Sequence, residues 1–206
     1  MCVQAKLILW QQGPSALWSG VKDQRPVLVV EQACGIAHGP ALRTRHRLLS
    51  EVQHPSLARV LAAGWSERAG ISNLLLERVP GVPVAAIPFS VTEEVLLGAL
   101  EQLAGAIAAC HRRGLALGSV HSGRVLLSRR PETTLVLTGA APHGSEEQDL
   151  AGIAKVCREL AHQEVLSKPL QLLLGALERG QISAEHARRS ASAMRGQVVP
   201  ELRKAG

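Results

Sequence analysis

The chain has 206 residues, which is enough for one medium domain or two small lobes with a substantial hydrophobic core. Hydrophobic residues make up 46% and charged residues 19%, values typical of a globular protein that argue against long disordered regions. The formal net charge is +6, but the arginines are scattered and tyrosine is absent, so the sequence lacks the aromatic stacking platform of a nucleic-acid interface. Nucleic acid is therefore not an expected partner.

The cysteines and the N-terminus indicate the compartment. Cys2, Cys34, Cys110 and Cys157 are widely spaced and form no C-x-x-C pair, so we expect buried free thiols in a reducing environment. The first residues do not resemble a signal peptide, and no apolar run approaches the length of a membrane span. These features predict a cytoplasmic protein without membrane association.

The first part of the chain predicts an antiparallel sheet with one helix. Runs rich in β-branched and apolar residues alternate with turn formers such as Gly13 and Ser15. The predicted strands are residues 3–10, 16–19, 26–30, 59–65 and 71–79. Apolar residues at three- and four-residue spacing predict a helix over residues 40–52.

The second part of the chain predicts mostly helices. A long helix should end at Gly114, because the cationic run before it favours the negative end of a helix. Two short strands should follow as a hairpin, over residues 125–127 and 135–137. The further predicted helices cover residues 149–160, 169–177 and 183–194, and the last ten residues, from Gln197, should form a frayed tail.

The helix, loop and hairpin over residues 97–141 resemble the core of a protein kinase C-lobe, and the segments before them resemble the N-lobe. The other markers are His54-Pro55 after the first helix, Glu77 before a Pro/Gly hinge, and Asp149 at the start of a large helix. The likeness spans about residues 5–194 and is nearest to bacterial Ser/Thr kinase-like domains. It implies an α+β, two-lobed protein-kinase-like fold, with an N-lobe over 1–80 (antiparallel sheet with one helix) and a reduced, mostly helical C-lobe over 81–206.

The residues that carry chemistry in a kinase are replaced in this chain. In that family one Asp accepts the substrate proton, and a second Asp and an Asn hold magnesium. The aligned positions are Leu117, Gly118 and Ser119 for His-Arg-Asp, Arg124 for Asn, and Gly139, Ala140 and Ala141 for Asp-Phe-Gly. The resemblance therefore implies no catalytic residue, no bound cofactor and no metal.

The nucleotide-binding parts of the N-lobe are also altered. Where the family has a glycine-rich loop over the phosphates, the aligned residues are Trp10, Gln12 and Ser15, so phosphate binding by this loop is not expected. The family's strand Lys aligns with Val30 or Glu31. Its helix Glu aligns with Arg45, so a Glu31–Arg45 ion pair would exchange the two charges; alternatively, both side chains face solvent and never meet.

Other chemistry receives less support from the sequence. His111 and His121 flank a loop that contains two serines, but a Ser/His hydrolase would also need a nucleophile elbow and an orienting carboxylate. The remaining histidines considered as metal ligands have no acidic or cysteine companions at ligand spacing and are expected to be solvated or capping residues: His38, His46 and His54. Arg124 either occupies the emptied metal site or bonds carbonyls of its own loop.

The sequence therefore predicts a catalytically inactive pseudokinase that acts through protein–protein contact, as a signalling scaffold or allosteric regulator. One alternative is a noncatalytic sensor whose cleft binds a nucleotide or another ligand without metal. A second alternative is a divergent, active kinase-like enzyme. Since several C-lobe segments of the family are missing, we expect an exposed apolar surface that serves as a docking site. The partner and the oligomeric state are not specified by the sequence.

Overall fold

The computed structural model describes residues 3–13, 15–33, 35, 39–118, 120–128, 133–135, 144–162 and 164–204. Within them the chain is α+β, which confirms the predicted fold class. Most strands and one helix come first; we call residues 4–77 the sheet half. Helices dominate residues 82–204, which we call the helical half.

A five-stranded antiparallel sheet forms most of the sheet half, and its strand order is β1-β2-β3-β5-β4. The strands are β1 (Gln4–Gln12), β2 (Ser15–Lys22), β3 (Arg25–Ala33), β4 (Val60–Ser66) and β5 (Ile71–Glu77). Helix α1 (Gly39–Glu51) lies between β3 and β4 in the chain. The predicted antiparallel sheet with one helix is therefore confirmed, with strands that extend a few residues beyond the predicted runs.

Both faces of β3 are buried, which explains its continuous apolar sequence. Leu28 and Val30 point into the main core, whereas Val27 and Val29 point to the opposite face and form a small second cluster. Helix α1 packs on the inner face, where the imidazole of its buried residue His46 lies 3.3 Å from the Ser72 hydroxyl of β5.

Helix α2 (Glu93–His111) is the buried centre of the helical half. It begins after Thr92, whose hydroxyl accepts the backbone N–H of Val95, and it is followed by Gly114 with a positive φ of 67°, as the sequence predicted. Its apolar residues share one continuous core with the inner face of the large sheet, so the two halves pack as a single body.

The helical half also contains a small three-stranded sheet, in which one strand precedes α2 in the chain and two strands follow it. The strands are β6 (Val82–Pro83), β7 (Val125–Leu127) and β8 (Thr133–Leu135). The described strand β8 begins two residues before the predicted run and includes its first residue, Leu135, which pairs with Val125. The predicted residues 136–137 lie outside the described part. Gly81 before β6 has φ 129°, and a Cβ there would meet the Leu127 carbonyl at 2.9 Å, so glycine is required.

Three further helices complete the helical half: α3 (Glu146–Ala161), α4 (Lys168–Glu178) and α5 (Ala184–Lys204). Ser145 begins α3 with a capping box in which its hydroxyl accepts the Gln148 N–H and the Gln148 side chain accepts the Ser145 N–H. The expected frayed tail is wrong as far as Lys204, because α5 continues through it. In the described part of the chain, no helix is both long enough and apolar enough to cross a bilayer.

We predict that the substitution His46→Asn reduces the loss of stability on acidification. Burial lowers the pKa of His46 to about 4 in the folded protein, whereas a histidine in the unfolded chain has a pKa of about 6.5. Between these pH values only the unfolded imidazole takes up a proton, so acidification through this window favours unfolding.

The measurement is the free energy of unfolding by urea denaturation at about pH 7 and about pH 5. Wild type should lose more free energy of unfolding between these two values than His46→Asn. His186→Asn changes an exposed histidine of α5 and should lose as much as wild type. Equal losses for wild type and His46→Asn would contradict the prediction.

Candidate functional site

The candidate site lies where the sheet half meets the loop between α2 and β7. We call it the junction. Its sheet-half residues lie near the ends of strands β1, β2 and β3. Its helical-half residues belong to the loop after α2 and to the short 3-10 turn directly before β7. The junction residues are Trp10, Ser15, Gln32, His121, Gly123 and Arg124. The resemblance assigns this region to nucleotide phosphates and metal, so it is where a kinase-like activity would have to operate.

Arg124 is the charged residue that joins the two halves. It ends the 3-10 turn Ser122–Arg124, its side chain is buried with 2% exposure, and its Nη2 donates to Ser15 Oγ at 2.9 Å and Gln32 Oε1 at 3.3 Å. Burial lowers the pKa of Arg124 to about 9, which still leaves the guanidinium charged at neutral pH. These partners belong to other strands, so Arg124 does more than bond the carbonyls of its own loop.

Trp10 fills the space above this loop. A Cβ at Gly123 would clash with the indole ring, so the absence of a side chain at Gly123 is what allows Trp10 to lie there. The ring of Trp10 also contacts His121, with centroids 4.6 Å apart. Burial, together with the nearby charges of Arg124 and Lys155, lowers the pKa of His121 to about 4, so the imidazole is neutral at physiological pH.

Asp149 fixes the start of the same loop. This carboxylate is fully buried in the first turn of α3 and accepts the backbone N–H groups of Leu117 at 2.7 Å and Gly118 at 2.5 Å. It also contacts the side chain of His111, whose Nε2 lies 2.9 Å from Oδ2. Gly118 has φ 64° and closely approaches the backbone of Gly144, a geometry that excludes larger residues. Asp149 therefore determines where the loop begins.

The geometry does not support a Ser/His hydrolase. His111 directs Nε2 to Asp149, and its Nδ1 lies 3.6 Å from a carboxylate oxygen of the exposed residue Glu146. Both ring nitrogens thus face carboxylates. His121 is packed against Trp10, as described above. Of the two serines in the loop, Ser122 begins the 3-10 turn and Ser119 lies outside the described residues.

The two residues of the hypothesised exchanged ion pair belong to different elements, strand β3 and helix α1. Glu31 projects from the face of β3 that carries Val29 and lines a shallow groove there, whereas Arg45 belongs to α1 on the inner face. Burial lowers the pKa of Arg45, and the negative charge of Asp149 partly opposes that effect. Arg45 is therefore close enough to the helical half to feel the charge of Asp149. Val30 is the inward-facing residue, and these positions lend no support to a Glu31–Arg45 pair.

The remaining candidates have structural roles or lie outside the described part. Cys110 and Cys157 are buried free thiols whose pKa is raised to about 12 by burial, so they are protonated and unreactive. His54 accepts the Ser56 N–H on Nδ1 at 3.1 Å, and burial, with two nearby arginines, lowers its pKa. The predicted positions outside the described residues are Cys2, Cys34, His38, Ser119, Gly139, Ala140 and Ala141.

A metal centre has no evident ligand set in the described residues. No group of three or more His, Cys, Asp or Glu side chains comes together there in a way that could hold an ion. The carboxylate nearest the loop, Asp149, already accepts two backbone N–H groups and faces His111. What the junction offers chemically is a buried cation beside neutral oxygens and an aromatic ring.

Comparison with known proteins adds no assignment to this geometry. No family model matches the sequence, and no curated protein matches it. The functional argument therefore depends on the junction itself.

Sequence reasoning missed how the junction closes. Gln32 and Gly123 were not singled out, and Trp10 was noted only as a residue at a glycine position. A bulky aromatic residue where a phosphate-binding loop needs glycine was the one available signal, since such a side chain must occupy the space that a phosphate would need. The partner of that side chain, Gly123, could not be read from local pattern.

We predict that Asp149→Ala strongly destabilises the fold. The substitution leaves the N–H groups of Leu117 and Gly118 buried without their acceptor, and hydrogen bonds to a charged group contribute about 1.5–3 kcal/mol each. We expect a loss of about 3–5 kcal/mol in the free energy of unfolding, measured by urea denaturation. Glu146→Ala, which removes an exposed carboxylate of the same helical turn, should cost less than about 1 kcal/mol. A comparable cost for both variants would contradict this role.

We also predict that Trp10 and Gly123 are energetically coupled. Gly123→Ala inserts a methyl group into the indole contact and should cost about 1–3 kcal/mol in wild type. The same substitution should cost much less in a Trp10→Ala background, because the clash is removed. A double-mutant cycle of unfolding free energies measures this coupling. Gly196→Ala, where a Cβ meets open space in α5, is the matched control and should not destabilise. Additive effects of Trp10→Ala and Gly123→Ala would disprove the coupling.

Proposed function

We propose that this chain is a protein-kinase-like module without phosphotransfer activity, a pseudokinase that works by protein contact as a scaffold or allosteric regulator. The five antiparallel strands with α1 between β3 and β4 agree with the N-lobe that the resemblance implies. The order of helix α2, loop and hairpin agrees with its C-lobe. Two features that were aligned independently, Asp149 and the loop at residues 117–118, also meet through hydrogen bonds, which supports the alignment of both.

The observation that carries the proposal is the filled junction. Trp10 and Ser15 stand at two positions where the resemblance requires phosphate-binding glycines, and both contact the loop that would hold the metal. Arg124, at the position of the metal-binding Asn, spans the same gap with a buried cation. Side chains thus occupy the space in which the phosphates and the metal would have to lie, and a cation replaces a neutral metal ligand.

The two alternatives receive less support from these contacts. A nucleotide sensor would have to displace the Trp10 ring and separate the Arg124 contacts before phosphates could enter, which would reduce the apparent affinity. A divergent kinase-like enzyme would need a base for the substrate hydroxyl, and residues 115–124 contain no carboxylate or lysine. Their histidine, His121, packs against Trp10 and is a weak base, because its pKa is lowered to about 4. Neither alternative has a specific observation in its favour.

Exposed apolar side chains in the helical half are consistent with function through protein contact. Phe89, the one phenylalanine of the chain, is 62% exposed, and Val165 is 91% exposed. Val82 and Leu172 are also more than half exposed. Large apolar side chains at the surface are typical of docking sites when they cluster. The four exposed side chains agree with the expectation that a shortened lobe presents a protein-binding surface. We also propose that the protein is cytoplasmic.

The experiment that tests the proposal is a thermal-shift titration with ATP, with and without magnesium. A ligand present at a hundred times its Kd would add about 2.7 kcal/mol to stability. We expect no dose-dependent change in Tm beyond about 1 °C, because the junction excludes the phosphates. An active protein kinase measured in parallel should show a clear shift.

Two results would overturn the proposal in different directions. A saturable rise in Tm with ATP would favour the nucleotide sensor. Incorporation of labelled phosphate from ATP into the protein or into a generic substrate would favour the divergent enzyme; the variant Arg124→Ala then tests whether the junction is responsible. Absence of both responses is the expected result.

A further inference from the structure

A groove separate from the junction runs between α1 and the edge strand β4. It has a volume of about 390 Å³ and is lined on one side by His46, Arg47 and Ser50 of α1 and on the other by residues 60–65 of β4. It shares no residue with the junction. Leu61 on its strand side is 48% exposed, so an apolar side chain is available at the rim. Helix α1 thus forms one wall of the groove, and strand β4 forms the other.

The open wall is an unpaired strand edge. Among the described strands, β4 pairs with β5 alone. Glu77 of β5 donates its backbone N–H to the Arg59 carbonyl at 2.9 Å, and in antiparallel pairs such contacts recur at every second residue. On β5, the residues that face β4 are thus Glu77, Leu75 and Asn73, and the last two are paired with Ala62 and Gly64. Ala63 and Trp65, which alternate with these β4 residues, therefore direct their N–H and C=O groups out of the sheet. An irregularity between Val60 and Ala62 confines regular pairing to the stretch from Ala62 onward.

The charged side chain that lines the groove is that of Arg47. The ionisable residues that line the groove are His46 and Arg47, and His46 is neutral at physiological pH because burial lowers its pKa to about 4. Two more exposed arginines, Arg59 and Arg68, precede and follow β4, with Glu67 as the neighbouring acid in the turn. Edge-to-edge pairing of two copies would bring these arginines, on chains of formal charge +6, towards each other. Charge complementarity thus favours an acidic occupant over a second copy.

We propose that this groove binds an extended, acidic segment of a partner protein, which adds a strand to β4 and places a carboxylate against Arg47. The backbone groups of Ala63 and Trp65 supply the hydrogen bonds, as in other cases of strand addition to a sheet edge. Arg47 supplies the preference for acidic side chains. This inference deepens the proposed function, since it names one surface and the chemistry of the partner that would use it.

The test uses the full chain and two fluorescein-labelled octapeptides, one of alternating glutamate and valine and the other of alternating lysine and valine. We expect the glutamate peptide to raise fluorescence anisotropy saturably and the lysine peptide to leave it unchanged. In a two-dimensional amide NMR spectrum, the glutamate peptide should shift the Ala63 and Trp65 signals most. Arg47→Glu should weaken binding at least about tenfold, whereas Arg113→Glu, the same charge change at an exposed site after α2, should alter it less than about twofold.

A proline substitution tests the strand edge itself. Ala63→Pro removes the outward N–H without breaking a bond to β5, so it should retain the wild-type circular dichroism spectrum and lose peptide binding. Ala63→Val keeps the N–H and should bind like wild type. Folded Ala63→Pro that still binds, equal binding of both peptides, or no binding of the glutamate peptide at about 1 mM would overturn the proposal. A dimer in sedimentation analysis that disappears in Ala63→Pro would also overturn it, in favour of a second copy.

These outcomes can be separated from those of the proposed function. If the glutamate peptide does not bind and ATP does not change the Tm, the proposal for this groove is wrong and the pseudokinase proposal still holds. If ATP raises the Tm or labels a substrate, and the glutamate peptide binds in a way that depends on Ala63 and Arg47, the pseudokinase proposal is wrong and the proposal for the groove still holds.

Discussion

The buried carboxylate of Asp149 is the interaction on which the rest of the helical half depends. A fully buried charge is costly unless its oxygens are satisfied, and here two backbone N–H groups and the imidazole of His111 satisfy them. Because α3 carries Asp149 and α2 carries His111, this one group joins both helices to the loop between α2 and β7. The path of that loop then determines where Gly123 and Arg124 meet the sheet half.

Arg124 illustrates the difference between stability and specificity. Placing a guanidinium beside hydroxyl and amide oxygens recovers only part of its lost hydration, so the contact is a weak source of net stability. Its value lies in geometry, because the single nitrogen Nη2 donates to Ser15 of β2 and Gln32 of β3, and both contacts form only in one relative placement of these strands and the loop. The packing of Trp10 on Gly123 imposes the same placement by shape. Two unrelated forces thus favour one arrangement of the two halves, which is suited to a protein that presents fixed surfaces to partners.

Much of the fold could be predicted from the sequence because its elements follow strong local patterns. The continuous apolar and β-branched run of β3 and the spaced apolar residues of α2 identify those elements directly. The start of β8 and the end of α5 were predicted less well, since a short strand and a polar helical end have weak patterns. In these cases tertiary contacts outweigh local preference.

The site was less predictable than the fold. Arg124 was selected by alignment, but its partners lie 109 and 92 residues away in the chain, and only the completed sheet brings them near. The hypothesis of a Glu31–Arg45 pair shows the same difficulty, because a shift of one residue in a strand moves a side chain to the opposite face. By contrast, the likeness to a kinase drew attention to the loop at residues 117–124, and in the structure this loop carries the hydrogen bonds of Arg124 to β2 and β3.

The contact between the Trp10 and His121 rings also has a spectroscopic consequence. The chain contains three tryptophans and no tyrosine, so its ultraviolet emission comes from very few rings, and one of them lies between the two halves. A change in the spacing of the halves would alter the surroundings of that ring while leaving Trp18 and Trp65, both in the large sheet, unaltered. The protein thus carries an intrinsic optical reporter of inter-half opening that requires no added label.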